Sequence, residues 1–530
     1  MRAQTNSGLR ARHGMRDCAF ALFLAIAGPA TAQTPPSATL VVAIAADPQH
    51  FNPAITTGSH THTVADVLFN GLVALDREAR PLPDLAQSWT IEDGGKTYRF
   101  KLAKGVRWHD GRPLSAEDVV FTFREILLKH HARTKASLSP VLEAIEAPDA
   151  ETIVFRLKRP YAALLQQLDV TEAPILPKHI YEGQDPNVAA ANLQPVGTGP
   201  FKLDGYKRDD QVVAVRNPDY FKPGLPKLER IVFRVIPDQR TAALAVLKGE
   251  VDFFRDVAGP DLALLKRDTN VSFDQVTAGP GGGNCIMTVG FNLDKAALAD
   301  ARVRRAFALA VDRERILNDV IFGQGRVADA PISTGIGFAH APGVLKDFKR
   351  DPAAARRLLD DAGFKPGAGG IRLKIDMVHF PQFQRYSDAM RQDLAEVGID
   401  LAPRPLDRAA TIETVFTKRD FDTTLISYCN GLDPEIGVRR MYVSSNIAKV
   451  PFSNAAAYRN GEVDRLFEEA AATTDPAARG KVYRSVQEIL ARDLPYWWLV
   501  ETDFPVVYRS RFEGFASWSG QFAEQARVKP

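Results

Sequence analysis

Several short stretches of this sequence carry residue types capable of chemistry. His60-x-His62 offers two imidazoles, the commonest metal ligands. Two positions apart, they share a face on a strand but not on a helix. No third candidate ligand accompanies them, so no metal site is expected. His109-Asp110 has the make-up of an acid–base pair, yet it falls in a predicted turn between a strand and a helix. Gly279-Pro280-Gly281-Gly282-Gly283 has the glycine density of a phosphate loop, but no Lys-Ser or Lys-Thr follows it. Gly-x-Ser-x-Gly, His-Glu-x-x-His, Walker and dinucleotide patterns are all missing from the sequence. The chemistry on offer is therefore recognition: no catalysis and no cofactor are expected.

The elements that position these residues are read from periodicity. Val64 to Phe69 reads as a helix. Tyr98, Phe100 and Leu102 then alternate with Arg99, Lys101 and Ala103, the period of a half-buried strand, after the turn signal Asp93-Gly94-Gly95. Ser115 is a candidate N-cap, with Glu117 and Asp118 suited to the positive end of the helix that continues through Phe123. A second helix starts at Arg302, with Val303, Ala306, Phe307 and Ala310 on one face.

The run from Gly105 to Val119 reads Gly-x-x-aromatic-His-Asp-Gly-x-Pro-aliphatic-x-Ala-x-Asp-Val. It resembles a hallmark of the family 5 bacterial extracellular solute-binding proteins, the peptide, nickel and opine receptors of ABC importers. Gly197-Thr198-Gly199-Pro200-Phe201, Asn217-Pro218-Asp219-Tyr220-Phe221, Phe291-Asn292-Leu293 and Arg302 to Phe307 match further family steps, in order, over most of the chain. The resemblance implies an α/β fold with two lobes, the periplasmic-binding-protein fold of type II, with ligand bound in the cleft between them. Lobe one would take residues 33–277, with an extra subdomain over about 66–184. Lobe two would take 284–500, and residues 501–530 would return to lobe one. The glycine run 279–283 would be the first crossing, and Leu494 to Val500 the return strand, its Trp497-Trp498 pair reading as core.

The same resemblance nominates two ligand-binding segments: Thr57, Gly58, Ser59 and His60 ahead of the first helix, and Tyr428, Cys429, Asn430 and Gly431 ahead of Asp433-Pro434. Helix capping by Ser59 or Thr61 is the competing reading of the first segment. Peptide receptors of the family place an aspartate three positions before the acidic-Pro pair, to neutralise the α-ammonium of the peptide. Here Asn430 stands in its place and supplies no countercharge. His379, Arg385 and Arg439 are candidate anion contacts, while Arg439 and Arg440 also read as solvated helix charges. Asp433 reads as a helix cap. Cys285 and Cys429 would lie near strand starts in one lobe, either bonded or as two buried thiols.

Arg2, Arg10, Arg12 and Arg16 precede the apolar run Cys18 to Ala27 and the small-x-small step Ala30-Thr31-Ala32. This is the pattern of a cleaved signal peptide over residues 1–32, beginning at Met1 or Met15, and it implies a periplasmic location of Gram-negative type. Those residues carry four arginines and one aspartate, so the formal charge of +3 belongs to them and the rest is close to neutral. Nothing here calls for nucleic acid or an acidic membrane surface. The expected function is delivery of a small polar solute, peptide or peptide-like, to an ABC permease and ATPase by a monomeric receptor. The alternatives are a non-peptide receptor of the same class, or an orphan receptor or holdase without transport.

Overall fold

The computed structural model describes residues 38–530 except 57, 77–78, 256, 258, 277–283, 450–451 and 516–521. The signal segment, Thr57 and the glycine run 279–283 lie outside the described residues.

Alternation sets the strands. In Thr97–Leu102, Tyr98, Phe100 and Leu102 are buried while Arg99 faces solvent. That strand is internal to an antiparallel four-stranded sheet ordered Ala86–Glu92, Thr97–Leu102, Thr152–Leu157, Leu142–Asp149. A seven-stranded sheet runs Val271–Val276, Phe504–Arg509, Phe253–Phe254, Thr39–Ile44, Arg230–Val235, Gln211–Arg216, Phe201–Lys207. A six-stranded sheet runs Gly325–Val327, Tyr496–Thr502, Cys285–Phe291, Thr423–Cys429, Leu373–His379, Ile399–Pro405. One apolar core, including Leu40, Phe100, Phe155 and Ile231, joins the seven- and four-stranded sheets. A separate core, including Val289, Phe307, Leu425 and Trp498, surrounds the six-stranded sheet. The molecule is a two-lobed α/β protein. Among the described residues no helix is long and apolar enough to cross a membrane.

The helix Ala301–Ala310 buries Val303, Ala306, Phe307 and Ala310 against the second core. Trp497 and Trp498 are buried in the same core, with Trp498 Nε1 donating to Tyr442 Oη at 3.0 Å. Asp503 alone separates the strand Tyr496–Thr502 of one sheet from Phe504–Arg509 of the other. Arg326 braces this crossing, donating to Glu501 Oε2 at 3.1 Å and Asp503 Oδ1 at 3.0 Å.

The first helix departs from the sequence reading: it is Ser59–Ala65, not Val64 to Phe69. The backbone beyond Ala65 is engaged elsewhere. Gly199 N–H donates to Leu68 O at 2.9 Å and Phe201 N–H to Val67 O at 3.2 Å, which removes those carbonyls from any helical ladder. Gly197 and Gly199 are what allow this approach, because a Cβ at Gly197 would lie 1.8 Å from Leu68 O. His109 clamps the same turn. Its backbone N–H donates to Gly197 O at 2.8 Å, its Nδ1 accepts from Gly197 N–H at 3.2 Å, and Nε2 faces Gly199 O at 3.1 Å. Burial holds the imidazole neutral, with its pKa lowered to about 4. Asn217 Nδ2 donates to Gly199 O at 3.1 Å, and Thr198 Oγ1 donates to Asn70 Oδ1 at 3.0 Å. The sequence motifs around residues 109, 197 and 217 thus form one hydrogen-bonded knot, and Ser115 opens the next helix by donating its N–H to Asp118 Oδ2 at 2.9 Å.

Gly197→Ala is expected to destabilise the protein by about 3 kcal/mol, because backbone rather than a movable side chain blocks the new methyl. Urea unfolding of the two proteins measures it, and a loss below about 1 kcal/mol contradicts the packing argument.

Candidate functional site

The strand Thr423–Cys429 lies inside the six-stranded sheet and leads into the segment that brings Glu435, Ile436, Arg439 and Arg440 to the cavity between the lobes. Cys429 ends that strand, correcting the expectation of a strand start, and faces Cys285 across the antiparallel pair, where a disulfide joins them. Asn430 is buried. Its N–H donates to Asn284 O at 3.1 Å, and Nδ2 donates to Asn284 O at 3.0 Å and Tyr428 O at 3.3 Å. An aspartate here would turn its carboxylate onto two carbonyls and lose both side-chain bonds. Gly431 follows at φ +68°, the left-handed region open to glycine. Tyr428 is buried, its ring edge-on to Tyr496 at 5.9 Å.

Asp433 N-caps the short helix Pro434–Gly437, accepting from Glu435 N–H at 3.0 Å. It also accepts two bonds from buried Arg479, at 2.8 and 2.9 Å. Glu435 takes a bond from Tyr483 Oη at 3.1 Å. Burial lifts its carboxyl to about 7, against the opposing pull of Arg439.

A cavity of about 430 Å³ opens beside this helix. From lobe one it is lined by Arg133, Arg159 and Tyr161, and from lobe two by Ile436, Arg439, Arg440 and Phe452. Its volume falls in the range of small-molecule sites. The lobes meet at its rim: Glu468 accepts from Arg159 at 2.5 Å and from Arg439, and Ala162 N–H donates to Ala471 O at 3.2 Å. Behind it in lobe one, Arg133 pairs with Glu172 at 3.0 Å. Asp169 is fully buried nearby. Burial, with the Glu172 and Asp66 carboxylates beside it, lifts its carboxyl to about 8.

Of the residues nominated from sequence, Arg439 lines this cavity; Gly58, Ser59, His60, His379, Arg385, Tyr428, Cys429, Asn430 and Gly431 do not. Gly58, with no side chain, is the N-cap, so neither Ser59 nor Thr61 caps the first helix. Ser59 and His60 are exposed, and Thr61 Oγ1 donates to Pro48 O at 2.9 Å. His62 is held between Asp66 Oδ1 and Thr56 O, each at 3.0 Å, which leaves its ring nitrogens occupied. His379 is buried, with Nδ1 on Phe380 O at 2.8 Å and Nε2 on Ser387 Oγ at 3.1 Å. Arg385 is exposed and stacks on Phe322 at 5.0 Å. Arg133, Arg159 and Tyr161 were not visible in the sequence, since no motif surrounds them. Asp329, His340 and Glu501 approach one another as metal ligands would, but Glu501 already accepts from Arg326, Ser333 and Thr334.

Residues 80–449 match the family described as bacterial extracellular solute-binding proteins, family 5 Middle. Protein XP55 of Streptomyces lividans is 30% identical over 499 residues, 90% of this chain and 86% of its own. The oligopeptide-binding protein AppA of Bacillus subtilis is 28% identical over 497 residues, 90% of this chain and 88% of its own. The crystal structure of NikZ from Campylobacter jejuni with Ni(L-His) superposes with a TM-score of 0.78 at 25% identity, covering 92% of this chain and 98% of that one.

Two outcomes are expected. Asp433→Asn leaves Arg479 buried without its countercharge and costs about 3 kcal/mol in urea unfolding at neutral pH. The Asp169 carboxyl binds its proton more tightly folded than unfolded, so its contribution to stability is full below about pH 4 and is lost as pH rises through about 8. Asp169→Asn should therefore match the parent near pH 4 and exceed it by about 5 kcal/mol near pH 9; equal stabilities at both would contradict the assignment.

Proposed function

Because the chain belongs to the family 5 bacterial extracellular solute-binding proteins, we propose that it captures a small polar organic solute, peptide or peptide-like, and delivers it to an ABC permease and ATPase by closing its lobes. The observation that carries this reading is the 430 Å³ cavity lined from both lobes, with the Arg159–Glu468 pair bridging them at its rim. A solute there favours the closed state by touching both walls, which is the differential affinity a transport signal requires. No covalent step is involved. The lobes are taken as residues 33–277 and 284–500, with the tail returning to lobe one. The mature protein is taken to act as a monomer in the periplasm after cleavage near Ala32.

Asn430 supports a second reading within the same class, a non-peptide or amine-blocked solute. Its amide is neutral, with the nitrogen committed to two carbonyls and Oδ1 left without a donor, so it offers an ammonium no countercharge. The deciding experiment is a thermal-shift screen of residues 33–530, refolded to remove carried solute, against di- to pentapeptides, opines, amino-acid conjugates, sugars and nickel complexes. A solute bound only by the folded state raises the midpoint. Shifts confined to amine-blocked or non-peptide compounds establish the second reading. Shifts by free-amine peptides as large as those of their amine-blocked counterparts remove the role given to Asn430.

A further inference from the structure

The cavity is surrounded by more guanidinium than carboxylate. Arg133, Arg159, Arg439 and Arg440 line it against Glu435 and Glu468. Glu468 is matched by Arg159 and Arg439, and Glu435 by Arg439 at 3.1 Å. Arg133 is matched by Glu172. Among the described residues Arg440 has no carboxylate within ion-pair distance. It donates only to carbonyl oxygens, Gly437 O at 3.1 Å and Cys429 O at 3.5 Å, and stands 6.0 Å from the Phe452 ring. Burial first, and the neighbouring Arg133 charge second, pull its pKa down to about 10, so it stays charged at neutral pH. Two further donors at this cavity, Arg133 Nε and Arg159 Nη1, are buried with no acceptor. A half-buried guanidinium in this state is costly unless something else completes it.

The acids that would receive a cation are already engaged. Asp433 holds Arg479, Glu435 and Glu468 hold arginines, and Asn430 is an amide. Glu172 keeps one oxygen without a donor, but its charge is matched by Arg133.

We propose that the solute is an organic carboxylate without a free ammonium, its carboxylate bound by Arg440 of lobe two and the spare donor of Arg133 of lobe one. Planar guanidinium forks fit carboxylate oxygens, and lysine reproduces the charge but not the fork. This deepens the receptor reading and rests on it.

The test uses the mature chain at fixed ionic strength, with matched probes titrated by thermal shift and calorimetry: N-acetylated dipeptides, their C-terminal amides, and free-amine dipeptide amides. The acids are expected to bind and the two amide series to bind far more weakly. Arg440→Gln should weaken the acids by about 30-fold or more while leaving the amides unchanged, and Arg440→Lys should fall between. Acids and amides binding alike, free-amine amides binding best, or Arg440→Gln and Arg440→Lys both retaining the acid affinity would each overturn the proposal while the receptor reading stands. If no solute of any charge binds here or in the wider screen, the receptor reading fails and the proposal falls with it.

Discussion

The buried pair of Asp433 and Arg479 governs the functional half of this molecule. A carboxylate and a guanidinium removed from water hold together only with good geometry and satisfied remaining bonds, and both conditions are met. Two bonds of 2.8 and 2.9 Å join them, Asp433 also caps the following helix, and Arg479 reaches Tyr483 Oη at 3.2 Å. The pair ties residues 433–437 to the long helix Pro476–Asp493. From there the fit is close: a Cβ on Gly437 would lie 2.2 Å from the Asn430 backbone. The placement of Asn430 and of Arg439 and Arg440 follows from that one pair. So does their electrostatics, because the Asp433 carboxylate behind them is neutralised before any solute arrives.

The family motifs serve a different purpose. The turn at Gly197 to Phe201, the His109 clamp and Asn217 join each other and the backbone at Leu68, and none of them lines the cavity. They fix how the subdomain seats on the seven-stranded sheet, a constraint of backbone approach that tolerates few residue types. The cavity-lining arginines carry no such constraint on the main chain. A scaffold of this kind can keep its motifs while the cleft changes charge, which fits a family whose members are named for peptides and for nickel.

That division also decides what was legible beforehand. Alternation at Tyr98 to Leu102, the Ser115 start and the apolar stripe from Val303 to Ala310 were readable because each is local. The first helix was misplaced because carbonyls of Val67 and Leu68 are claimed by residues more than a hundred positions later. At the site, Asn430 stood out against the family pattern, and Arg439 was nominated. Arg440 reads as an ordinary helix charge until its neighbours are known. Arg133 and Arg159 meet it only through the closing of the two lobes, a contact across some three hundred residues with no local signature.

The same two arginines link recognition to closure. Arg133 stands on lobe one and Arg440 on lobe two, and the Arg133 charge adds to burial in lowering the pKa of Arg440. With the cleft empty, the closed arrangement sets the Arg440 charge beside the Arg133–Glu172 pair, whose carboxylate offsets only part of the repulsion. The Arg159–Glu468 bridge at the rim opposes this only weakly, since both partners are partly exposed. A bound carboxylate reverses the sign at Arg440, which then faces an anion rather than the neighbouring guanidinium. The solute thus favours the closed state by removing a repulsion as well as by adding contacts. A neutral solute of equal shape has no such leverage, and so the closed form presented to a permease reports the charge of the cargo as well as its presence.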